Sequence, residues 1–145
     1  MKTRLLGLGL LFSTGLMAQH QQEVIVADFV KIKNGHEKET LYYYENNWKP
    51  LRDAAIQRGF ISGYQLLRSM PDTLNNFDLV LVTVYADSSQ FNKAEENFRA
   101  LMRETRTGGP ALLNDLKPSD FRQNVFVKKL QWITGGSRKD DGAKD

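Results

Sequence analysis

The stretch VIVADFVKIK, Val24 to Lys33, decides the fold. It is rich in β-branched residues and reads as a strand with two-residue alternation. One face carries Val24, Val26, Asp28, Val30 and Ile32. The other carries Ile25, Ala27, Phe29, Lys31 and Lys33. Both faces are largely apolar, so both are expected to be covered. Helices packed on one side of a sheet cover one face only. A second copy of the chain is the simplest lid for the other.

Beyond this strand, Asn34-Gly35 supplies a turn. From His36 to Arg58, Leu41, Tyr44, Trp48, Leu51 and Ala55 recur at steps of three and four, the spacing of one helical face. Pro50 lies inside that helix, where it removes a hydrogen bond and crowds the preceding turn, so a kink is expected near Asn46 to Pro50. Gly59 is a natural stop. Phe60 to Arg68 predicts a second strand, with Gly63 marking a bulge or a close approach. Pro71 to Asn76 reads as a polar turn. Phe77 to Tyr85, the most hydrophobic strand, belongs in the sheet centre beside the first. Asp87 or Ser88 caps the next helix, with Gln90 placed as in a capping box. Phe91, Ala94, Phe98, Leu101 and Thr105 form its apolar stripe. Thr107 to Pro110 breaks it. A helical turn is expected over Ala111 to Lys117, stopped by Pro118, and a fourth strand over Asn124 to Trp132.

The resulting order, β-α-β-β-α-β, is that of an α+β, ferredoxin-like domain. It implies a four-stranded antiparallel sheet with two main helices on one face.

In the other direction from Val24 the chain changes character. Lys2 and Arg4 precede an apolar run from Leu5 to Phe12, and small or polar residues lead to Ala18. This is the layout of a secretory signal peptide, and the run is shorter than the roughly 20 residues a spanning helix needs. The expected organisation is a signal peptide over 1–18, one domain over 19–133, and a polar, disordered tail over 134–145. With 145 residues, 41% hydrophobic and 26% charged, there is room for one ordinary core. The leader takes two of the 20 basic residues and none of the 17 acidic ones, so the mature chain carries about +1. That gives no electrostatic case for nucleic acid. The absence of cysteine excludes disulfides, thiol nucleophiles and Cys-ligated metals.

Chemistry-bearing residues are sparse. His20 and His36 are the only histidines, and no His/carboxylate cluster has metal-ligand spacing. Neither metal, haem nor another cofactor is expected. No nucleophile elbow accompanies the serines. Gly108-Gly109-Pro110 lacks the Lys-Ser/Thr of a phosphate loop and reads as a helix breaker. Asp28 stands out because it interrupts an apolar strand face, where a carboxylate is costly unless paired. Arg68 or Lys129 is the expected partner across the sheet. The residue is either a pocket acid or base with a shifted pKa, or a structural or edge aspartate. Tyr44 and Trp48 are expected in the core, while Tyr42 and Tyr43 point toward a groove or a dimer seam. The candidate pocket comprises Asp28, Trp48, Tyr64, Arg68 and Tyr85, suited to an apolar or aromatic ligand with a few polar anchors.

Several segments carry a family likeness: Trp48-Lys49-Pro50-Leu51, Gly59-Phe60-Ile61-Ser62-Gly63-Tyr64, Phe77-Asp78 and Thr83-Val84-Tyr85. The layout resembles the dimeric α+β barrel superfamily, in which two ferredoxin-like sheets pack face to face. That superfamily includes antibiotic-biosynthesis-type monooxygenases, stress-responsive barrel proteins and NIPSNAP-like proteins. More narrowly, Glu23 to Trp132 is similar to a group of uncharacterised secreted bacterial proteins. The likeness implies a homodimer, export to the periplasm or beyond, and no particular catalytic residue. The expected role is binding of a small apolar or aromatic molecule, or a structural one. The alternative is a cofactor-independent, monooxygenase-like enzyme acting on an aromatic or polyketide-like substrate. A cavity lined by Asp28, Tyr64, Arg68 and Tyr85 would favour the enzyme.

Overall fold

A computed structural model describes residues 22–70, 73–74 and 76–135. The expected signal peptide and residues 136–145 of the expected tail lie outside the described residues. Strands β1 (Val24–Ile32), β2 (Gly63–Arg68), β3 (Leu79–Tyr85) and β4 (Arg122–Gln131) form one sheet in the order β2-β3-β1-β4. Every neighbouring pair is antiparallel. Each helical crossover therefore skips one strand position, which the other half of the chain fills. This is the ferredoxin-like arrangement.

The first crossover is helical from Glu37 to Gln57, but not uniformly so. Helix α1 (Glu37–Tyr43) passes into a π-helical turn over Tyr44–Trp48, and α2 (Lys49–Gln57) continues from it. Proline explains the wider turn. Pro50 has no N–H to return to the carbonyl four residues back, and its ring crowds that turn. Lys49 N–H reaches Tyr44 O, five residues back. The Asn46 and Asn47 side-chain amides donate to Tyr42 O and Tyr43 O, each at 2.9 Å. The expected kink is thus a π-turn. After α2, Gly59 takes φ 66°, Phe60 N–H bonds Ala55 O at 2.8 Å, and Gly59 N–H bonds Ile56 O at 3.0 Å. That pair is a Schellman stop.

The second crossover contains α3 (Ser88–Asn92) and α4 (Ala94–Thr105), separated at Lys93. Asp87 Oδ1 accepts from Gln90 N–H at 2.7 Å, as its capping position predicts. The return bond differs: Gln90 Oε1 accepts from Ala86 N–H at 2.6 Å, one residue before the cap.

Two further expectations need correcting. The short helix after the Gly-Gly-Pro break is not at Ala111 to Lys117 but is α5 (Pro118–Phe121), which Pro118 opens rather than stops. Proline suits a first helical turn because its missing N–H would be unpaired there anyway. Gly63 sits in regular register opposite Val84, and a Cβ there would meet nothing within 4 Å. The irregularity lies elsewhere, between Phe29 and Val30 of β1 where they pair with β4.

Two apolar clusters fill the space between sheet and helices. Val24, Leu51, Ala55, Ile61, Tyr85 and Leu101 form one, and Val30, Tyr44, Trp48, Leu79 and Leu81 the other. The opposite sheet face carries Ile25, Phe29, Val80, Val82, Val84, Phe126 and Leu130, as the strand register dictates. Phe29 stacks on Phe126 at 4.3 Å between ring centroids, and Phe77 meets Phe29 edge-on at 4.8 Å. No helix of the described residues covers this face.

Candidate ligand cavity between sheet and helices

A partly enclosed cavity of about 230 Å³ lies between the helix-facing side of the sheet and the helical layer. Asp28 and Leu81 come from the two central strands. Tyr43, Tyr44, Trp48, Leu51 and Arg52 come from the first helical crossover. Met102 and Arg106 come from the end of the second, and Arg122 and Asn124 from β4.

The presence of Arg122 and Asn124 follows from the irregularity in the sheet. Phe29 lies opposite Phe126, but Val30 lies opposite Asn124, so Val125 is an extra residue in β4. Side chains alternate along a strand, and Asn124 would share the outer face of Phe126 without that insertion. The β-bulge turns Asn124 and Arg122 to the helix side, a known use of bulges beside binding sites.

Arg52 is held in place largely by aromatic rings. Its guanidinium lies 4.8 Å from the Trp48 ring centroid and 4.3 Å from that of Phe98. Such contacts contribute roughly 0.5–2 kcal/mol each, more when desolvated. Nε donates to Thr83 Oγ1 over 3.4 Å. Burial pulls the Arg52 pKa down to about 10, with Tyr85 and Asp28 opposing the shift, and the group stays charged at neutral pH.

Asp28 is half-buried. Desolvation raises its pKa, and the positive charge of Arg52 partly offsets that. Among the described residues no hydrogen bond or ion pair closes on its carboxylate. The expected partners are elsewhere: Arg68 pairs with Glu37 at 2.7 Å, and the Lys129 amine sits 4.1 Å from the Phe91 ring centroid. Arg52, on the helix rather than the sheet, is the cation that faces Asp28.

Tyr44 is 3% exposed, and among the described residues its hydroxyl makes no hydrogen bond of good geometry, although the Arg122 guanidinium lies near it. Burial pushes its pKa up to about 12, so it remains a neutral phenol. Arg122 Nε is likewise buried and unpaired. Its outer nitrogens make long contacts, 3.5 Å to Tyr43 Oη and 3.4 Å to Asn124 Oδ1. Unsatisfied buried polar atoms are uncommon and call for an explanation.

Of the residues proposed from sequence, Asp28 and Trp48 line this cavity together. Tyr64 packs edge-on against Trp48 at 5.2 Å, but its hydroxyl donates to Asp53 Oδ1 at 2.5 Å. Tyr85 is buried beside Phe91, and Arg68 lies at the surface. None of these three is part of the cavity wall. The sequence reading missed Arg52, Arg106, Arg122 and Asn124. Arg52 carried a signal, since it stands four residues after Trp48 and thus shares a face with a core aromatic. The β4 pair carried none. His36 Nδ1 lies 3.6 Å from Glu39 Oε2 and takes no part in the cavity. Among the described residues no group of three His, Asp or Glu side chains could hold a metal ion.

Fold and cavity together define a ferredoxin-like α+β domain with ligand-sized space beneath its helices. No protein-family model matches the sequence, and no curated protein matches it. Solved structures with a similar chain path do exist. HapK from Hahella chejuensis is 11% identical, over 80% of this chain and 97% of that one, with a TM-score of 0.48. A DABB family protein with a ferredoxin-like fold from Mesorhizobium loti is 14% identical, over 80% and 100%, with a TM-score of 0.47. A dimeric ferredoxin-like protein of unknown function from Thermobifida fusca is 11% identical, over 77% and 92%, with a TM-score of 0.46. The likeness is one of chain path and brings no residue's role with it.

Proposed function

We propose that the protein is an exported homodimer that binds a small aromatic molecule between its sheet and its helices. The observation that carries this reading is the cavity itself. It has aromatic and aliphatic walls, a few convergent polar groups, and a buried Tyr44 hydroxyl that makes no hydrogen bond of good geometry among the described residues. That composition is typical of small-molecule sites. Export rests on the leader, with Lys2 and Arg4 before the apolar run and Ala18 at the expected cleavage point. Dimerisation rests on the apolar outer sheet face, the surface a sister sheet would cover. The test is to titrate a small aromatic library against the protein and follow the indole N–H resonance of Trp48. Binding in the cavity shifts that resonance in a saturable way. A Trp48 signal that no compound moves refutes the reading.

A catalytic version is favoured by one observation. Asp28 combines a raised pKa with a place in the cavity wall, the setting of a general base for an acidic C–H or O–H. The enzyme would be a cofactor-independent oxygenase of aromatic or polyketide-like compounds. Oxygen uptake with phenolic substrates, abolished in Asp28→Asn, is the expected sign. Its absence with every substrate that binds leaves the binding role alone.

A further inference from the structure

Six of the described arginines fall into two groups, with the exposed Arg103 in neither. At the surface, Arg58 pairs with Glu104 at 2.5 Å, Arg68 with Glu37 at 2.7 Å, and Arg99 with Glu95. In the cavity wall, Arg52, Arg106 and Arg122 have no carboxylate within ion-pair distance among the described residues. Their hydrogen bonds go to neutral oxygens: Thr83 Oγ1 for Arg52, the Asn47 carbonyl for Arg106, and Tyr43 Oη and Asn124 Oδ1 for Arg122. Against these three positive charges the wall sets only Asp28. A guanidinium drawn out of bulk water without a counter-charge, as Arg52 is, is costly, and the fork geometry of arginine matches a carboxylate. Arg106 and Arg122 stand beside it, each partly exposed. The partner these arginines lack is an anion.

We infer that the cavity's ligand is a planar aromatic carboxylate, its charged end met by the cavity arginines and its ring by Tyr43, Tyr44 and Trp48. This rests on the binding role proposed above and narrows it. The volume, about 230 Å³, lies below the roughly 300–1,000 Å³ of drug-sized sites, which suits a body of one or two rings. The Tyr44 hydroxyl, buried and without a well-formed hydrogen bond among the described residues, is a donor suited to a carboxylate oxygen. Asp28 opposes the anion electrostatically and sets a limit on its affinity.

The test compares 2-naphthoate with 2-naphthamide, which share a body and differ in charge, by calorimetry and by the Trp48 indole resonance. The acid is expected to bind about tenfold or more tightly than the amide. Arg52→Met lowers affinity for the acid to the level of the amide, and Arg52→Lys restores part of it. Asp28→Asn tightens the acid severalfold relative to the amide. The wild-type comparison needs no variant to fold. If the amide binds as well as the acid, or Asp28→Asn weakens the acid, the anion inference falls while the aromatic-binding role stands. If neither compound moves Trp48, the inference falls together with the role it rests on.

Discussion

Asn47 and Ala111, 64 residues apart, exchange two hydrogen bonds: Asn47 Nδ2 donates to Ala111 O and Ala111 N–H donates to Asn47 Oδ1, both at 2.8 Å. The π-turn brings Asn47 into the buried layer, where it is 3% exposed. Arg106 adds a bond to the Asn47 carbonyl at 2.5 Å. The segment after α4 is thereby fixed to the first helical crossover beside the cavity. A side-chain amide here acts as one more backbone unit, bonding a distant loop as a strand would.

Replacing Asn47 with Ala should therefore cost about 2–3 kcal/mol. Two hydrogen bonds to Ala111 and one to Tyr43 O, of roughly 1 kcal/mol each, are lost, and the Ala111 backbone groups lose their partner. Asn46→Ala removes one exposed bond to Tyr42 O and should change stability by less than about 0.5 kcal/mol. Urea midpoints of the two variants check the contrast. Equal effects would mean that the Ala111 clasp contributes nothing beyond a helical side-chain bond.

Asp28 has a folded-state pKa raised by burial, so the folded chain holds that proton more tightly than the unfolded chain. The stability it contributes is fully present below the unfolded carboxylate value of about 3.9 and is lost as pH rises through the folded value. Asp53 and Glu104 are lowered, mainly by hydrogen bonds from Lys49 and Arg58, and work in the opposite direction. They are common to both chains compared and cancel in the difference. Asp28→Asn should therefore be more stable than the parent at neutral pH, with the two melting temperatures converging as pH falls below 4. A gap that stays constant with pH contradicts the raised pKa.

Gly59→Ala should destabilise the protein by about 1–2 kcal/mol, through backbone strain alone. Gly59 sits at φ 66°, where an L side chain is strained, yet a Cβ there would meet nothing within 4 Å. Gly63 also has open space, but its φ is not positive, so Gly63→Ala should cost less. With no crowding at either site, thermal melts of the pair isolate the strain.

Much of this fold was legible because periodicity is a local signal. The β-branched run from Val24 to Lys33, apolar on both faces, and the one-sided stripe from Leu41 to Ala55 are each readable within a few residues, and each became the element expected. Pro50 announced its distortion because a missing N–H acts within four residues. The short helix at Pro118 was misplaced because proline both ends and begins helices, and only the neighbouring chain path decides between these roles. The cavity was half legible for a related reason. Asp28 betrays itself by interrupting an apolar strand face, and Trp48 by its place in the apolar helical stripe. Arg122 and Asn124 reach the cavity only through an extra residue in β4, and a bulge depends on the register of the partner strand, which no local pattern encodes.

The outer sheet face supplies the last prediction. Val82 stands at the middle of β3, opposite Ala27 on one side and Gln65 on the other, so it lies near the centre of the apolar surface. Leu67 and Leu130, toward the edges, are 46% and 47% exposed in the single chain. If a sister sheet covers this face, Val82→Lys places a charge in the middle of the interface, where desolvation is most costly. Sedimentation at micromolar concentration should give twice the monomer mass for the parent chain and the monomer mass for Val82→Lys. The fold should survive, because Val82 points away from both core clusters. Glu96→Lys, on the exposed side of α4, places the same side chain away from the sheet, with a larger charge change, and should leave the dimer intact. A parent chain that sediments as a monomer rules out the sister-sheet lid.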